Sequence, residues 1–266
     1  MQTEKLQRAI GAIHVRFGDQ ALMRANRLPL VRPWPTGQSG VDRLCGIGGL
    51  PCGRISVVQG APGSGRLSLA LALLAQATRE FARVVVIDAY GGLDPWTLER
   101  LGADLGAVTL VRPQTRMVAG EAAIALARAG ASWQLVLGDL PEPALASLES
   151  AAARSGCLVI AVGEPIGGAG PKEARNALAF ASSLTLELER IRWLKEHGQV
   201  VGIRSHVTCI KNKLAAPGVG AAMELRYPRG GRRPSGELRW VVESAEPLTE
   251  LREEVMTDPW GWSAAG

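Results

Sequence analysis

The segment Val57–Leu71, VVQGAPGSGRLSLAL, decides how the rest of the chain is read. It opens as a β-branched run, turns through glycines and continues into an Ala/Leu-rich stretch of helical character. Gly60 and Gly65 are separated by four residues, directly after the strand and at the start of the helix, with Gly63 between them. In that context the backbone N–H groups and the helix N-terminus together receive an anion. A complete phosphate loop continues with Lys, which reaches the outer phosphates, and then Ser or Thr, whose hydroxyl serves magnesium. Arg66 and Leu67 occupy those places. A leucine cannot ligate a metal, and Ser68 lies about 100° further round the helix, so it substitutes only if the loop shifts. The predicted nucleotide site is Gly60, Gly63, Gly65, Arg66 and Ser68. Asp139, ending the strand WQLVLGD, stands in the place of a metal-side acid, although a strand-end Asp serves equally as a helix cap. No metal is expected in this site, no cofactor is required, and ATP or ADP binding is left open.

Working outward, β-branched runs alternate with helical ones. Strands are expected at RISVVQ (54–59), RVVVID (83–88), VTLVR (108–112), WQLVLGD (133–139) and CLVIAVG (157–163). Helices are expected over 65–81, near 95–101, and over 119–129 and 144–154. Strands that are apolar almost throughout are covered on both faces, which predicts a mainly parallel sheet flanked by helices. After the glycine-rich GEPIGGAGPKE the pattern changes to strands without long helices: SLTLELERIRWL, HVTCIKNK, AAMELRY and GELRWVV. These predict an antiparallel extension of the sheet. Leu184, Leu186 and Leu188 alternate with polar residues, but the apolar phase then moves to Ile191 and Trp193, which predicts a bulge or strand end near Arg190.

The N-terminal residues form a small helical element, because Leu6, Ile10, Ile13 and Phe17 fall on one stripe. The stripe is a candidate partner-binding face, or packs on its own core. The proline-rich RLPLVRPWPTG follows as a linker. The expected division is residues 1–35 as helix and linker, 36–243 as the core, and 244–266 as an acidic C-terminal tail.

Thirty Lys and Arg against 25 Asp and Glu give +5, compatible with nucleic acid without demanding it. The distribution is uneven: residues 226–233 hold Arg226, Arg229, Arg232 and Arg233, whereas 243–258 carries six acids and one base. The four arginines are candidate DNA contacts, equally readable as a solvated loop. Trp260 and Trp262 are large apolar groups in a polar tail, so they are a second candidate partner contact. Cys45, Cys52, Cys157 and Cys209 form no ligand or disulfide pattern and read as reduced packing residues. No run of about 18 apolar residues predicts a membrane span, and the N-terminus has no secretory core, so the chain is expected in the cytoplasm, with the nucleoid.

In the order of its segments the chain resembles the RecA recombinase family. The resemblance is carried by IHVRFGDQALMR, TGQSGVDRLCGIGGLPCGRISVVQGAPGSG, VIDAYGGLDP, NALAFASSLTLELERI and VVGIRSHVTCIKNKLAAP. It implies a RecA-like P-loop α/β core. It also implies that the family's catalytic Glu falls on Tyr90, a poor base at neutral pH. The family's γ-phosphate-linking Gln falls on Gly163, with Glu164 beside it. Lys211 and Lys213 match lysines that reach a neighbouring subunit's ATP, or are simply strand-end lysines. The family's two DNA loops shrink here to LPEP (140–143) and GEPIGGAGPKEARN (163–176), and the second has no aromatic to stack among bases. Among family members the chain is most similar to the ImuA-type accessory proteins of damage-inducible mutagenesis. That likeness implies RecA and an ImuB-type polymerase-like protein as partners, weak or salt-dependent DNA binding, and modulation, most simply inhibition, of the recombinase filament. These departures lead to the expectation of a protein that is not an enzyme. The alternative is an ATP-dependent, DNA-binding recombinase paralogue in which Arg66 and Ser68 keep nucleotide and Asp88 or Glu164 supports slow hydrolysis.

Overall fold

The computed structural model describes residues 2–17, 30–81, 83–163, 172–216 and 220–226. By its internal contacts the chain divides into two units, Met1–Val31 and Arg32–Gly266. In the first, the predicted stripe lies on one helix, α1 (Gln2–Phe17).

The second unit contains a two-stranded antiparallel ribbon, β1 (Pro33–Trp34) with β2 (Leu50–Pro51), and a short helix α2 (Ser39–Leu44) between them. The main sheet follows. Its strands are β3 (Ile55–Gly60), β4 (Val84–Asp88), β5 (Val108–Val111), β6 (Trp133–Leu137), β7 (Leu158–Gly163), β8 (Leu184–Glu196), β9 (Gln199–Asn212) and β10 (Ala221–Arg226). Their spatial order is β10-β9-β8-β3-β7-β6-β4-β5. All pairings from β8 across to β5 are parallel, and β8-β9-β10 is antiparallel, as the change of sequence pattern predicts. The register between β8 and β9 slips between Arg190 and Arg192, the bulge expected from the shifted apolar phase.

Every residue of β3, β4 and β6 is buried, so both faces must be covered. On one face lies α3 (Arg66–Glu80), which sinks Leu69, Leu71, Leu73 and Leu74 beside Trp34, Val58, Leu135 and Leu186. Burying each such leucine contributes about 1.5–3 kcal/mol, so this helix is fixed by its packing. Trp34 meets the rings of Phe81 and Trp133 at 5.6 and 6.2 Å, and its indole N–H donates to Glu80 at 2.6 Å. On the opposite face α5 (Arg116–Arg128) and α6 (Glu142–Ser155) cover Ile55, Val57, Val85, Ile87 and Val159. Thr115 caps α5 by accepting from the Val118 N–H at 3.2 Å. Between β4 and β5 lies α4 (Pro95–Arg100), capped by Asp94, which accepts from the Trp96 and Thr97 N–H groups. Thr97 holds the Asp94 carboxyl below the usual carboxylate range through its own hydroxyl.

The expected linker RLPLVRPWPTG is corrected, because β1 falls within it and Trp34 is buried in the core; two helices also differ from the sequence expectation. α2 falls within a stretch read only as the approach to the glycine loop. α7 (Lys172–Ala181) falls in the half expected to consist of strands without long helices. Its NALAFA leads straight into a strand with no glycine or proline between, and only Ser182 and Ser183 mark the break. The expected strand GELRWVV lies outside the described residues. Cys45, Cys157 and Cys209 are buried free thiols, and burial pushes Cys45 and Cys157 up to about 12, so they serve as packing groups. No described helix is long and apolar enough to cross a membrane.

Candidate functional site

The glycine loop joins the C-terminal end of β3 to the N-terminus of α3, the edge of a parallel sheet where ligands bind. The two walls of the loop come from distant sequence. A Cβ at Gly60 would collide with the Leu188 carbonyl and the Ser64 hydroxyl. Gly65 caps α3 in the left-handed region, φ +90°, against Ile203 and Met223. Ser205 of β9 donates its hydroxyl to the Ser64 carbonyl at 2.8 Å. Ser64 Oγ is buried inside the loop with no hydrogen-bond partner. An orphaned buried hydroxyl is costly and calls for an explanation, such as a ligand that engages it.

Arg66, the first residue of α3, turns its guanidinium back into the loop. It donates to the Gly60 carbonyl and, at 3.1 Å, to the Gly163 carbonyl at the end of β7. A full positive charge thus sits at a helix N-terminus between two strand ends. Leu67 packs against the apolar core on the α3 side. Ser68 is half-buried on α3, and Asp139 is half-buried two residues beyond β6. The predicted Gly60, Gly63, Gly65 and Arg66 are therefore brought together.

The acids are placed differently. Asp88 is buried at the end of β4 and accepts from the Gly92 and Leu93 N–H groups at 2.9 and 3.1 Å. Both of its oxygens are committed to shaping the turn, so it is a structural cap. Tyr90, in the place of the family's catalytic Glu, is 67% exposed beside Gly138. Glu164 lies outside the described residues. Among the described residues, no three His, Cys, Asp or Glu side chains gather where they could hold a metal ion.

Two features escaped the sequence reading. The first is a carboxylate–amide pair at the strand ends: Gln59 donates to Glu187 at 2.9 Å across 128 residues. The second is Arg190, whose guanidinium donates to the Gly63 carbonyl at 3.4 Å and stacks 4.4 Å over Trp193. Only the predicted bulge hinted at it.

The other predicted site residues are dispersed. Lys211 donates to the Ala179 carbonyl and, at 3.1 Å, to the Phe180 carbonyl; Lys213 reaches the Phe180 carbonyl at 3.0 Å. The two lysines thus satisfy the carbonyl end of α7, and desolvation, followed by Lys213, holds Lys211 below the usual lysine range. Arg226 is paired with Glu196. Arg229, Arg232, Arg233, Trp260 and Trp262 lie outside the described residues. On α1, Leu6 is 60% exposed, and Ile10 and Ile13 are half-buried; the side chain of Phe17 lies outside the described residues.

A glycine loop between strand and helix, with an arginine at the helix start, on a mainly parallel sheet covered on both faces, defines an α/β protein of the phosphate-loop class. A profile of the RecA N-terminal domain matches residues 4–147. The chain is also 32% identical to a protein named RecA from Gluconobacter oxydans over 262 residues, covering 86% of this chain and 76% of the relative. It is 32% identical over 271 residues to a Protein RecA of Brucella anthropi, covering 89% and 75%. A Protein RecA of Acinetobacter baumannii is 30% identical over 262 residues, covering 86% and 75%. The chain belongs to the RecA family. This kinship corrects the expectation that the protein is not an enzyme. That expectation rested on the replacements at residues 66, 67, 90 and 163 and on shortened loops, whereas relatives matching most of the chain carry the RecA name, and membership of that family points to an ATPase.

Proposed function

We propose that the chain is an ATP-using RecA-family protein of DNA recombination and repair that works beside RecA, in the accessory manner of the ImuA type. The observation that carries this reading is the Arg66 guanidinium held between the ends of β3 and β7 at the start of α3. A fixed cation, a helix N-terminus and a glycine loop are what a polyphosphate requires. ATP would seat its phosphates there, with Arg66 stabilising charge that develops on the outer phosphate. The water to be activated has a weaker partner than in the family, because Tyr90 replaces the Glu and Asp88 is committed to backbone N–H groups. Turnover is therefore slow.

In this reading the α1 stripe of Leu6, Ile10 and Ile13, with Phe17, meets a RecA protomer. An ImuB-type polymerase-like protein is a second partner through the tail with Trp260 and Trp262. Lys211 and Lys213 turn outward only if a neighbour displaces them from the end of α7. DNA is held weakly and in a salt-dependent way through Arg226, Arg229, Arg232 and Arg233. The place of action is the nucleoid in the cytoplasm.

The test is a coupled ATPase assay on the full chain with and without single-stranded DNA, followed by RecA strand exchange with the protein titrated in. Slow turnover that is lost in Arg66→Ala, together with altered strand exchange, is the expected result. No turnover at millimolar ATP and no effect on RecA overturns the reading.

A further inference from the structure

We propose that the loop is a two-arginine polyphosphate site that binds its ligand without a divalent cation, with Arg190 as the second cation. The inference deepens the nucleotide-site reading above and rests on it. Three observations converge. Leu67 stands where a hydroxyl would serve magnesium, and it packs into the core, so the loop itself offers that ion no ligand at this position. Arg66 and Arg190 approach the loop from opposite sides, one on the Gly60 and Gly163 carbonyls and the other on the Gly63 carbonyl. Ser64 Oγ, buried in the same loop without a hydrogen-bond partner, is a polar group that a ligand would satisfy.

The position of Arg190 is built, not incidental. In a regular strand, residues three apart face opposite sides of the sheet. The register slip between Arg190 and Arg192 returns Trp193 to the side of Arg190, and the indole then lies 4.4 Å under the guanidinium. Bulges re-aim side chains in this way. The stacking leaves the planar donor fork oriented at the loop, where among the described residues it holds a long hydrogen bond to one carbonyl. A polyphosphate oxygen is a stronger acceptor for a guanidinium than a carbonyl, and the fork matches it bidentately. Arg66 stands in the place of the loop's Lys, so Arg190 is the cation added to the site, one positive charge beside the phosphates where a magnesium ion would bring two.

The test is titration calorimetry on the full chain at low ionic strength, with ATP and with inorganic tripolyphosphate, in magnesium and in excess chelator. Affinity in chelator is expected within threefold of that in magnesium. Arg190→Ala should weaken binding about tenfold, as expected for a charge-assisted contact at an exposed site, and Trp193→Ala about threefold. Arg192→Ala, one bulge away, should change it less than twofold. A tenfold or greater loss of wild-type affinity on chelation overturns the inference while leaving the nucleotide reading intact, as does an Arg190→Ala protein that binds like wild type. An equal loss in Arg192→Ala overturns it as well, because the effect would then be general charge. No binding of either ligand in either condition overturns both readings. The chelation arm uses only the wild-type chain and so decides even if a variant fails to melt cooperatively.

Discussion

Two glycines two residues apart in the phosphate loop make a paired test of how the loop is held. At Gly65, φ is +90° and an added Cβ would lie 2.8 Å from Ile203 Cδ1 and 3.3 Å from Met223 Cε, both in buried side chains. Gly65→Ala therefore carries about 1–2 kcal/mol for a side chain in the left-handed region. Overpacking against two buried neighbours adds about 1–3 kcal/mol. At Gly63, φ is +78°, but the Cβ would meet only Arg190 Nη1 at 2.6 Å, the far end of an exposed, flexible side chain. Gly63→Ala carries the same backbone cost of about 1–2 kcal/mol and almost none of the packing cost. The difference between the variants is thus about 1–3 kcal/mol. With a urea slope near 3 kcal/mol/M for a unit of this size, the midpoints should stand about 0.3–1 M apart, Gly65→Ala lower. The assay is equilibrium urea unfolding followed by tryptophan fluorescence and circular dichroism, each variant made singly. Equal midpoints, or Gly63→Ala the less stable, would refute the close approach of Gly65 to Ile203 of β9 and Met223 of β10 described above. The same pair separates stability from binding, since Gly63→Ala displaces Arg190 and should weaken tripolyphosphate binding severalfold.

Arg66→Ala should abolish measurable ATP turnover and lower ATP affinity at least tenfold, read by a coupled assay and by calorimetry; unchanged affinity would remove Arg66 from the site. Asp88→Ala strips the acceptor from the Gly92 and Leu93 N–H groups, the latter buried, and should cost about 1–3 kcal/mol in urea unfolding. His206 is buried on β9 with both ring nitrogens unpartnered, and desolvation holds it below the usual histidine range, partly opposed by Glu189 across the strand pair. Its folded value is depressed, so the unfolded chain binds the extra proton: the stability it protects is complete above about pH 6.5 and is lost as the pH falls from there through the folded value. Thermal melts between pH 5 and 8 should show that loss, and His206→Asn should flatten it; a slope that persists in the variant assigns the dependence to other groups.

The parallel half of the fold could be read from sequence because its signals are local. Runs such as VVVID and WQLVL announce buried strands, and Gly60-x4-Gly65 states its own turn. What could not be read depends on contacts across the sheet. α7 was missed because NALAFA runs into a strand with no breaker, and losing that helix changed the meaning of Lys211 and Lys213. Without its carbonyl end in view, two strand-end lysines have no visible partner within the chain. The Gln59–Glu187 pair and the Arg190 contact each join residues more than 120 positions apart, and the second also needs a bulge to aim it. The shifted apolar phase after Leu188 located that bulge but could not say which side chain it would turn toward the loop.

The division of labour within the site follows from the same topology. The segment matched by the RecA N-terminal domain profile ends at residue 147; within it lie the loop and Arg66, whereas Gly163, whose carbonyl accepts from Arg66, lies past that end. The groups that hold the loop in shape lie beyond it: Leu188 and Arg190 on β8, Ile203 and Ser205 on β9, and Met223 on β10. β3 and the start of α3 therefore supply the cradle, and β8, β9 and β10 supply its outer wall and the proposed second charge. Residue-by-residue comparison confined to the loop sees the loss of Lys and Ser/Thr and reads decay. With the far wall included, the loop is braced by Ser205 and faced by a second guanidinium, and the replaced residues at 66 and 67 then fit the proposal made above, a phosphate site with its charge redistributed.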